Sequence, residues 1–266
     1  MQPILNIALR ASRQASEYIN QTIDKNDPAQ SDATANDKLL SHLESSLFQN
    51  FFDSLKKANP THFIVEPGET LADVKDDSWH VNSFHNPQHL LRKLPSCAYS
   101  LIHKHQGKPQ NALLVNPYSN DEYTASRGSG AALNGRRIRC TATKQLDHAI
   151  VATNALNLHS SHTETHTVNN FMAELSANVG QVVVGNCDAL DIAMVAAGQI
   201  DAAVLSKTNP AEIEAALLLC QEAGVLSGTF SGGLFGGTSN QENLIVANPK
   251  LFKALVQRLN SFQTKL

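Results

Sequence analysis

Leu190-Asp191-Ile192-Ala193-Met194-Val195-Ala196-Ala197-Gly198-Gln199-Ile200-Asp201 carries the strongest local signal for the architecture. Leu190–Val195 forms the apolar face of a helix suited to packing on a sheet, inside a helix predicted over Ala189–Ala197. A short apolar strand, Ala202–Leu205, follows at once, and a helix over Pro210–Ala223 follows that. Upstream, Ala149–Thr153 and Gln181–Val184 read as strands on either side of a helix through Thr167–Leu175. Helices that alternate with short strands predict an α/β architecture. The C-terminal part adds a glycine-rich hairpin from Gly228 to Gly237 and a strand over Leu244–Ala247. A last helix starts at Pro249, with Asn248 as its cap.

The character changes near residue 150. Before it, Ile4, Ala8, Ala11, Ala15, Tyr18 and Ile19 make one apolar stripe on a helix over residues 4–22. Residues 25–37 read as a loop, and a second helix is predicted from Asp37 to Ala58. His62–Val65 reads as a short strand, and Leu71–Ser78 as an acidic, exposed connection. Ser96–Arg139 is strand-rich, with strands at Ala98–His103 and Ala112–Val115. The expected organisation is an α+β lobe over 1–148 and an α/β lobe over 149–266, packed as one compact unit.

The 266 residues are 42% hydrophobic and 17% charged, which predicts a packed core rather than disorder. A net charge of -3 argues against direct nucleic-acid binding, which needs a basic surface. No apolar run approaches the ~20 residues that span a bilayer. The first residues lack a basic-then-apolar signal pattern, so the expected location is the cytoplasm. Cys97, Cys140, Cys187 and Cys220 are widely spaced, which suits reduced thiols better than a zinc ribbon.

Several motifs occur in a telling order. Arg127-Gly128-Ser129-Gly130-Ala131-Ala132-Leu133-Asn134-Gly135 precedes the Leu190–Asp201 stretch. Gln221-Glu222-Ala223-Gly224, Gly232-Gly233 and Asn248-Pro249 follow it. Together they resemble the inositol monophosphatase family over nearly the whole chain. The resemblance implies a layered α-β-α-β-α sandwich in two lobes, usually dimeric. It also implies phosphate monoester hydrolysis with magnesium ions, which polarise the phosphoryl group and activate water.

The ligand positions that the resemblance implies carry the wrong chemistry. Trp79-His80-Val81-Asn82-Ser83-Phe84-His85-Asn86-Pro87-Gln88-His89 stands where the family has W-(V/I)-I-D-P-L-D-G-T-T-N-F. The two metal-binding aspartates fall on Asn82 and His85. The first glutamate of the family's E-E-S-G-E falls on Val65, and the next is kept as Glu66. The last metal aspartate falls on Glu212. Magnesium needs hard oxygen ligands, and imidazole suits transition metals better. On the substrate side, Asn86 and Pro87 replace the family's Gly-Thr, and proline removes one phosphate-binding N–H. The water-orienting threonine falls on Gln88, and the glutamate that contacts the inositol ring falls on Leu205. Val183-Val184 replaces an arginine pair, while Ser41 and Glu44 conservatively replace a threonine–aspartate pair.

No catalytic or substrate-binding set is therefore expected to be intact, and no metal is expected, with magnesium only where activity is retained. The weak metal candidates are Glu66, Asn82, His85 and Glu212, joined by His80 and His89 for a transition metal. His159, His162 and His166 have helix-like spacing and read first as a solvated helix start. Gly228–Gly233 lacks the Gly-Lys-Ser/Thr of a phosphate loop. The favoured function is protein binding by an inactive phosphatase homologue. Bacterial members of the family join the ribosomal RNA transcription antitermination complex, so elongation factors and RNA polymerase are the implied partners, with a homodimer as the implied state. The alternatives are a residual magnesium-dependent inositol-1-phosphate or sugar phosphate monoesterase, and a small-molecule sensor whose cleft is lined by Val65, His85, Gln88 and Leu205.

Overall fold

The computed structural model describes residues 3–67, 76–157, 162–185, 187–236 and 241–263. The chain divides into two compact units, Met1–Arg136 and Arg137–Leu266. The sequence-based division stood at 148/149. The segment after Arg137 goes with the second unit because Asn248 Nδ2 donates to the carbonyls of Thr141 and Thr143. Thr141 Oγ1 also donates to Asp201 Oδ1 at 2.6 Å.

The first unit opens with two long helices, α1 (Pro3–Asn26) and α2 (Ala33–Ala58), the second capped by Asp32. Both are longer than their apolar stripes required, and Asp32 starts α2 inside the predicted loop. Seven strands then form one sheet in sequence order: β1 (Phe63–Val65), β2 (Asp77–His85), β3 (Ala98–His105), β4 (Lys108–Asn116), β5 (Asp121–Ser126), β6 (Gly130–Leu133) and β7 (Arg136–Arg137). The pair β1–β2 is parallel, whereas β2 through β6 run antiparallel. The short helix α3 (Pro87–Leu91) leaves the end of β2.

The α1 and α2 stripes bury Leu9, Ile19, Leu43 and Phe51 against Trp79, Tyr99 and Leu113 of the sheet. Tyr99 donates its hydroxyl to the Ser12 carbonyl at 2.8 Å, which satisfies the one polar atom the ring carries into the core. Arg13 of α1 grips Glu122 of β5 through two bonds, at 2.6 and 2.7 Å. Arg13→Ala is expected to cost about 1 kcal/mol in urea unfolding, limited by solvent screening of this largely exposed arginine. A loss below about 0.3 kcal/mol would show that the pair does not pin α1 to β5.

The predicted exposed connection ends earlier than expected. Leu71–Lys75 lies outside the described residues, but Ser78 is buried within β2. Main-chain pairing with β1 and β3 makes this stretch a strand, although its side chains do not alternate.

The second unit follows the predicted alternation closely. Its elements are β8 (Ile150–Thr153), α4 (His162–Asn178), β9 (Gln181–Val184), α5 (Asp188–Ala196), β10 (Ala202–Thr208), α6 (Pro210–Ala223), β11 (Leu226–Gly228), β12 (Glu242–Ala247) and α7 (Pro249–Leu259). The sheet order is β11-β12-β10-β8-β9, parallel across β10, β8 and β9 and antiparallel at β12. Helices α4 and α7 pack with Val151, Val204 and Ile245, and α5 contacts β10 beside α6. Alternate strand residues serve opposite faces, so the sheet is covered on both sides. All four cysteines are free thiols, and Cys97, Cys187 and Cys220 are buried. Among the described residues no helix is long and apolar enough to cross a membrane.

Candidate functional site

In the first unit, the site positions gather where β1 and β2 end. Val65 closes β1 in register with His80 and is 1% exposed, so it is a core side chain. Glu66 follows it and is exposed. On β2, Asn82 and His85 are three residues apart, and a regular strand would point them to opposite faces. The register against β3 shifts between them, from Asn82↔Ser100 to His85↔Ala98. This bulge turns both side chains to one place. Asn82 Nδ2 donates to Ser100 Oγ at 3.4 Å, and His85 Nε2 lies 3.1 Å from the same oxygen. Burial pushes His85 down to about 4, so its ring is neutral near pH 7.

Beyond His85 the chain turns through Asn86, whose φ of 60° lies in the left-handed region. Asn86 caps α3 by accepting from the His89 N–H at 3.4 Å. Pro87 occupies the first turn without an N–H to offer, and Gln88 is exposed. From α2, Glu44 Oε1 accepts from Ser83 Oγ at 3.0 Å, so this retained carboxylate is fastened beside β2. Ser41 instead donates back to the Asp37 carbonyl of its own helix.

In the second unit, Glu212 sits exposed in the first turn of α6 and accepts from Asn209 Nδ2 at 3.0 Å. Leu205 does not line an opening, contrary to the sensor reading. It is 0% exposed, inside β10 and opposite Leu244. Val65 is corrected in the same way, because both lie in hydrophobic cores. Val183 and Val184 are exposed on β9, the edge strand of its sheet. His159 lies outside the described residues, as does the side chain of His162, while His166 is exposed on α4. Thr229 N donates to the Gly233 carbonyl, so Gly228–Gly233 makes a turn after β11; Gly237 lies outside the described residues.

Sequence reasoning missed a buried acidic group in the second unit. Asp188 accepts from Asn154 Nδ2 at 3.0 and 3.1 Å and from Thr208 Oγ1 at 2.9 Å. Burial, with a contribution from Glu212, pushes its carboxyl above the ordinary range. Asp191, one turn later, is pushed to about 7 by burial and by Asp188. Its Oδ2 is buried without a hydrogen-bond partner. The i, i+3 spacing of two acids at a helix start was the available signal, because such residues share a face. Among the described residues no group of three histidine, cysteine, aspartate or glutamate side chains is placed to hold a metal ion. The end of β2 offers an amide, a hydroxyl and a neutral imidazole, which exchange hydrogen bonds but supply no charge; the carboxylates among the first-unit positions are Glu44, bound to Ser83, and exposed Glu66.

Comparison with known proteins places this geometry. Residues 91–264 match the model of the inositol monophosphatase family. The chain is 32% identical over 263 residues to a protein named Nus factor SuhB from Pseudomonas aeruginosa, covering 96% of this chain and 95% of that protein. It is 28% identical over 264 residues to the Nus factor SuhB of Escherichia coli K12, covering 97% and 96%. Among solved structures, inositol monophosphatase-II from Staphylococcus aureus superposes with a TM-score of 0.82 at 18% identity, covering 98% of this chain and 95% of that one. The extragenic suppressor protein suhB of Bartonella henselae gives 0.78 at 22%, covering 97% and 100%. With the family model matched over more than half its length, the chain belongs to the inositol monophosphatase family.

Proposed function

We propose that this protein is a SuhB-like family member that does not hydrolyse phosphate esters. In this reading it is a cytoplasmic homodimer that acts by binding proteins of the transcription antitermination machinery. The observation that carries the reading is the pairing of Asn82 and His85 on one hydroxyl, Ser100 Oγ. At the positions where the family resemblance expects two carboxylates for magnesium, the chain has an amide and a neutral imidazole. A buried valine stands at a third position. This donor set does not fit a pair of magnesium ions, which need several anionic oxygens in octahedral array. The family-model match begins at residue 91, just past the altered 79–89 segment. The Nus factor naming of relatives that span almost the full chain supports the choice of partner class. The net charge of -3 favours protein over nucleic acid as the surface bound.

The test has two arms. Calorimetric titration of magnesium into metal-free protein is expected to show no saturable heat at millimolar metal. The same sample is expected to release no phosphate from inositol-1-phosphate. Purified Nus factors and RNA polymerase from the same cell are expected to bind it in a concentration-dependent way. Saturable magnesium binding with chelator-sensitive turnover sinks the inactive reading and directs mutagenesis to Glu44, Glu66 and Glu212. Absence of binding to every elongation factor sinks the partner assignment.

A further inference from the structure

A groove opens between the first two helices, outside the candidate site. On α1, Ile7, Ala11 and Gln14 succeed one another at three- and four-residue steps, so they share a face with Arg10. On α2, Ser54, Lys57 and Ala58 do the same. Where α1 and α2 lie against each other, these residues line a cavity of about 500 Å³. Its floor is apolar, because Ala11 is 1% exposed and Ile7 is half-buried against the core. Ala58 adds only a methyl group on the α2 side, which leaves the groove open.

The rims are basic. Arg10 stands on one and Lys57 on the other, both exposed. Other cations of this unit are already engaged. Arg13 grips Glu122, Lys93 pairs with Asp24, and Lys56 Nζ donates to the carbonyls of Pro60 and His62. Among the described residues, Arg10 and Lys57 have no carboxylate partner. Asp53, one turn before Lys57, is the nearest acid along α2, and it accepts instead from Gln49 Nε2 at 2.8 Å. The lining thus holds two cations, two neutral hydrogen-bonding side chains (Gln14 and Ser54) and no carboxylate. In a chain of net charge -3 this is a local reversal of sign.

We propose that this groove docks an acidic segment of a protein partner, one that carries an aliphatic side chain between its carboxylates. The aliphatic group seats on Ile7 and Ala11, and the carboxylates reach Arg10 on one rim and Lys57 on the other. A nucleic acid fits less well, since its evenly spaced phosphates call for a longer basic track and gain nothing from an apolar floor. The inference rests on the reading of this protein as one that acts by binding proteins, and adds the surface and the charge it selects.

Two-dimensional ¹H–¹⁵N NMR of the full chain tests this, with a twelve-residue peptide that repeats Glu-Glu-Leu as the probe. The amides of residues 7–14 and 54–58 are expected to shift and saturate, and a peptide with Gln in place of Glu should not bind. Arg10→Gln combined with Lys57→Gln should weaken binding about ten-fold, the scale of two screened ion pairs. Ala58→Phe should block the groove with both charges in place. Arg136→Gln combined with Arg137→Gln, in the chain's other exposed basic cluster, should leave binding unchanged. No saturable shift at these amides overturns the groove, as does equal affinity in the Arg10/Lys57 double variant. A twelve-nucleotide single-stranded RNA that shifts the same amides and binds more tightly than the peptide assigns the groove to nucleic acid and overturns the proposal. Peptide binding by a protein that captures no elongation factor would keep the groove and remove that partner class. Factor binding unchanged in the double variant would do the reverse.

Discussion

Lowering the pH from 7.5 to 5 is expected to destabilise the first unit by about 4 kcal/mol. Two half-buried histidines of β2 carry most of the effect. Burial holds His85 at about 4, and burial with the nearby Lys104 charge holds His80 at about 4, against 6.5 for a free imidazole. Their folded values are depressed, so the unfolded chain takes up protons that the native chain refuses. Stability is therefore full above about 6.5 and is lost as the pH falls toward about 4. At pH 5 each histidine accounts for about 2 kcal/mol, and buried His103 adds in the same direction. The second unit responds oppositely. Asp191, raised to about 7, keeps its proton in the native state while the unfolded carboxyl ionises. That unit loses stability as pH rises from the ordinary carboxylate range toward 7. Hydrogen-exchange mass spectrometry across pH resolves the two units separately. His85→Gln should remove about half of the first unit's acid loss. A flat first-unit profile between pH 7.5 and 5 would contradict the neutral burial of these rings.

Gly185→Ala is expected to destabilise the second unit by about 3 kcal/mol. A Cβ built at Gly185 would lie 1.8 Å from Asp191 Oδ2 and 2.7 Å from its Cγ. Gly185 has little room to move away, because its N–H donates to the Thr153 carbonyl at 2.8 Å. Asp191 is 9% exposed on the first turn of α5, so its carboxylate must rotate among packed neighbours. Chemical denaturation of Gly185→Ala, Asp191→Ala and the double variant measures the coupling. The double variant should recover at least half of the Gly185→Ala loss, since the colliding carboxylate is gone. Simple additivity of the two single losses would place the strain elsewhere.

These two results depend on contacts of different legibility. The second unit could be read almost element by element. The Leu190–Val195 face, the Asn248-Pro249 cap and the short β-strands between helices each follow local periodicity and capping chemistry. The α1 stripe was equally plain, because residues one turn apart share a face. Asp77–His85 was not plain. Its His, Asn and Ser side chains show no apolar alternation, and it is a strand because β1 and β3 pair with its main chain. Ser100, which joins Asn82 and His85, could not be found from spacing, since a bulge and a long-range register bring the three together.

Local residue chemistry makes legible the mix of helices and strands, the order of elements, and the presence of a valine, an amide and an imidazole at 65, 82 and 85. These are local properties, set by residue chemistry and by spacing along one segment. Long-range packing makes Leu205 and Val65 core residues rather than cleft walls. It alone decided that the Asp191 carboxylate fills the space a side chain at Gly185 would need, and that the four strands β2 to β5 bring Asp77, His103, Asn111 and Ser126 into one hydrogen-bonded row. Those facts depend on which strand lies beside which and in what register, and pairing between distant segments is a choice made by packing.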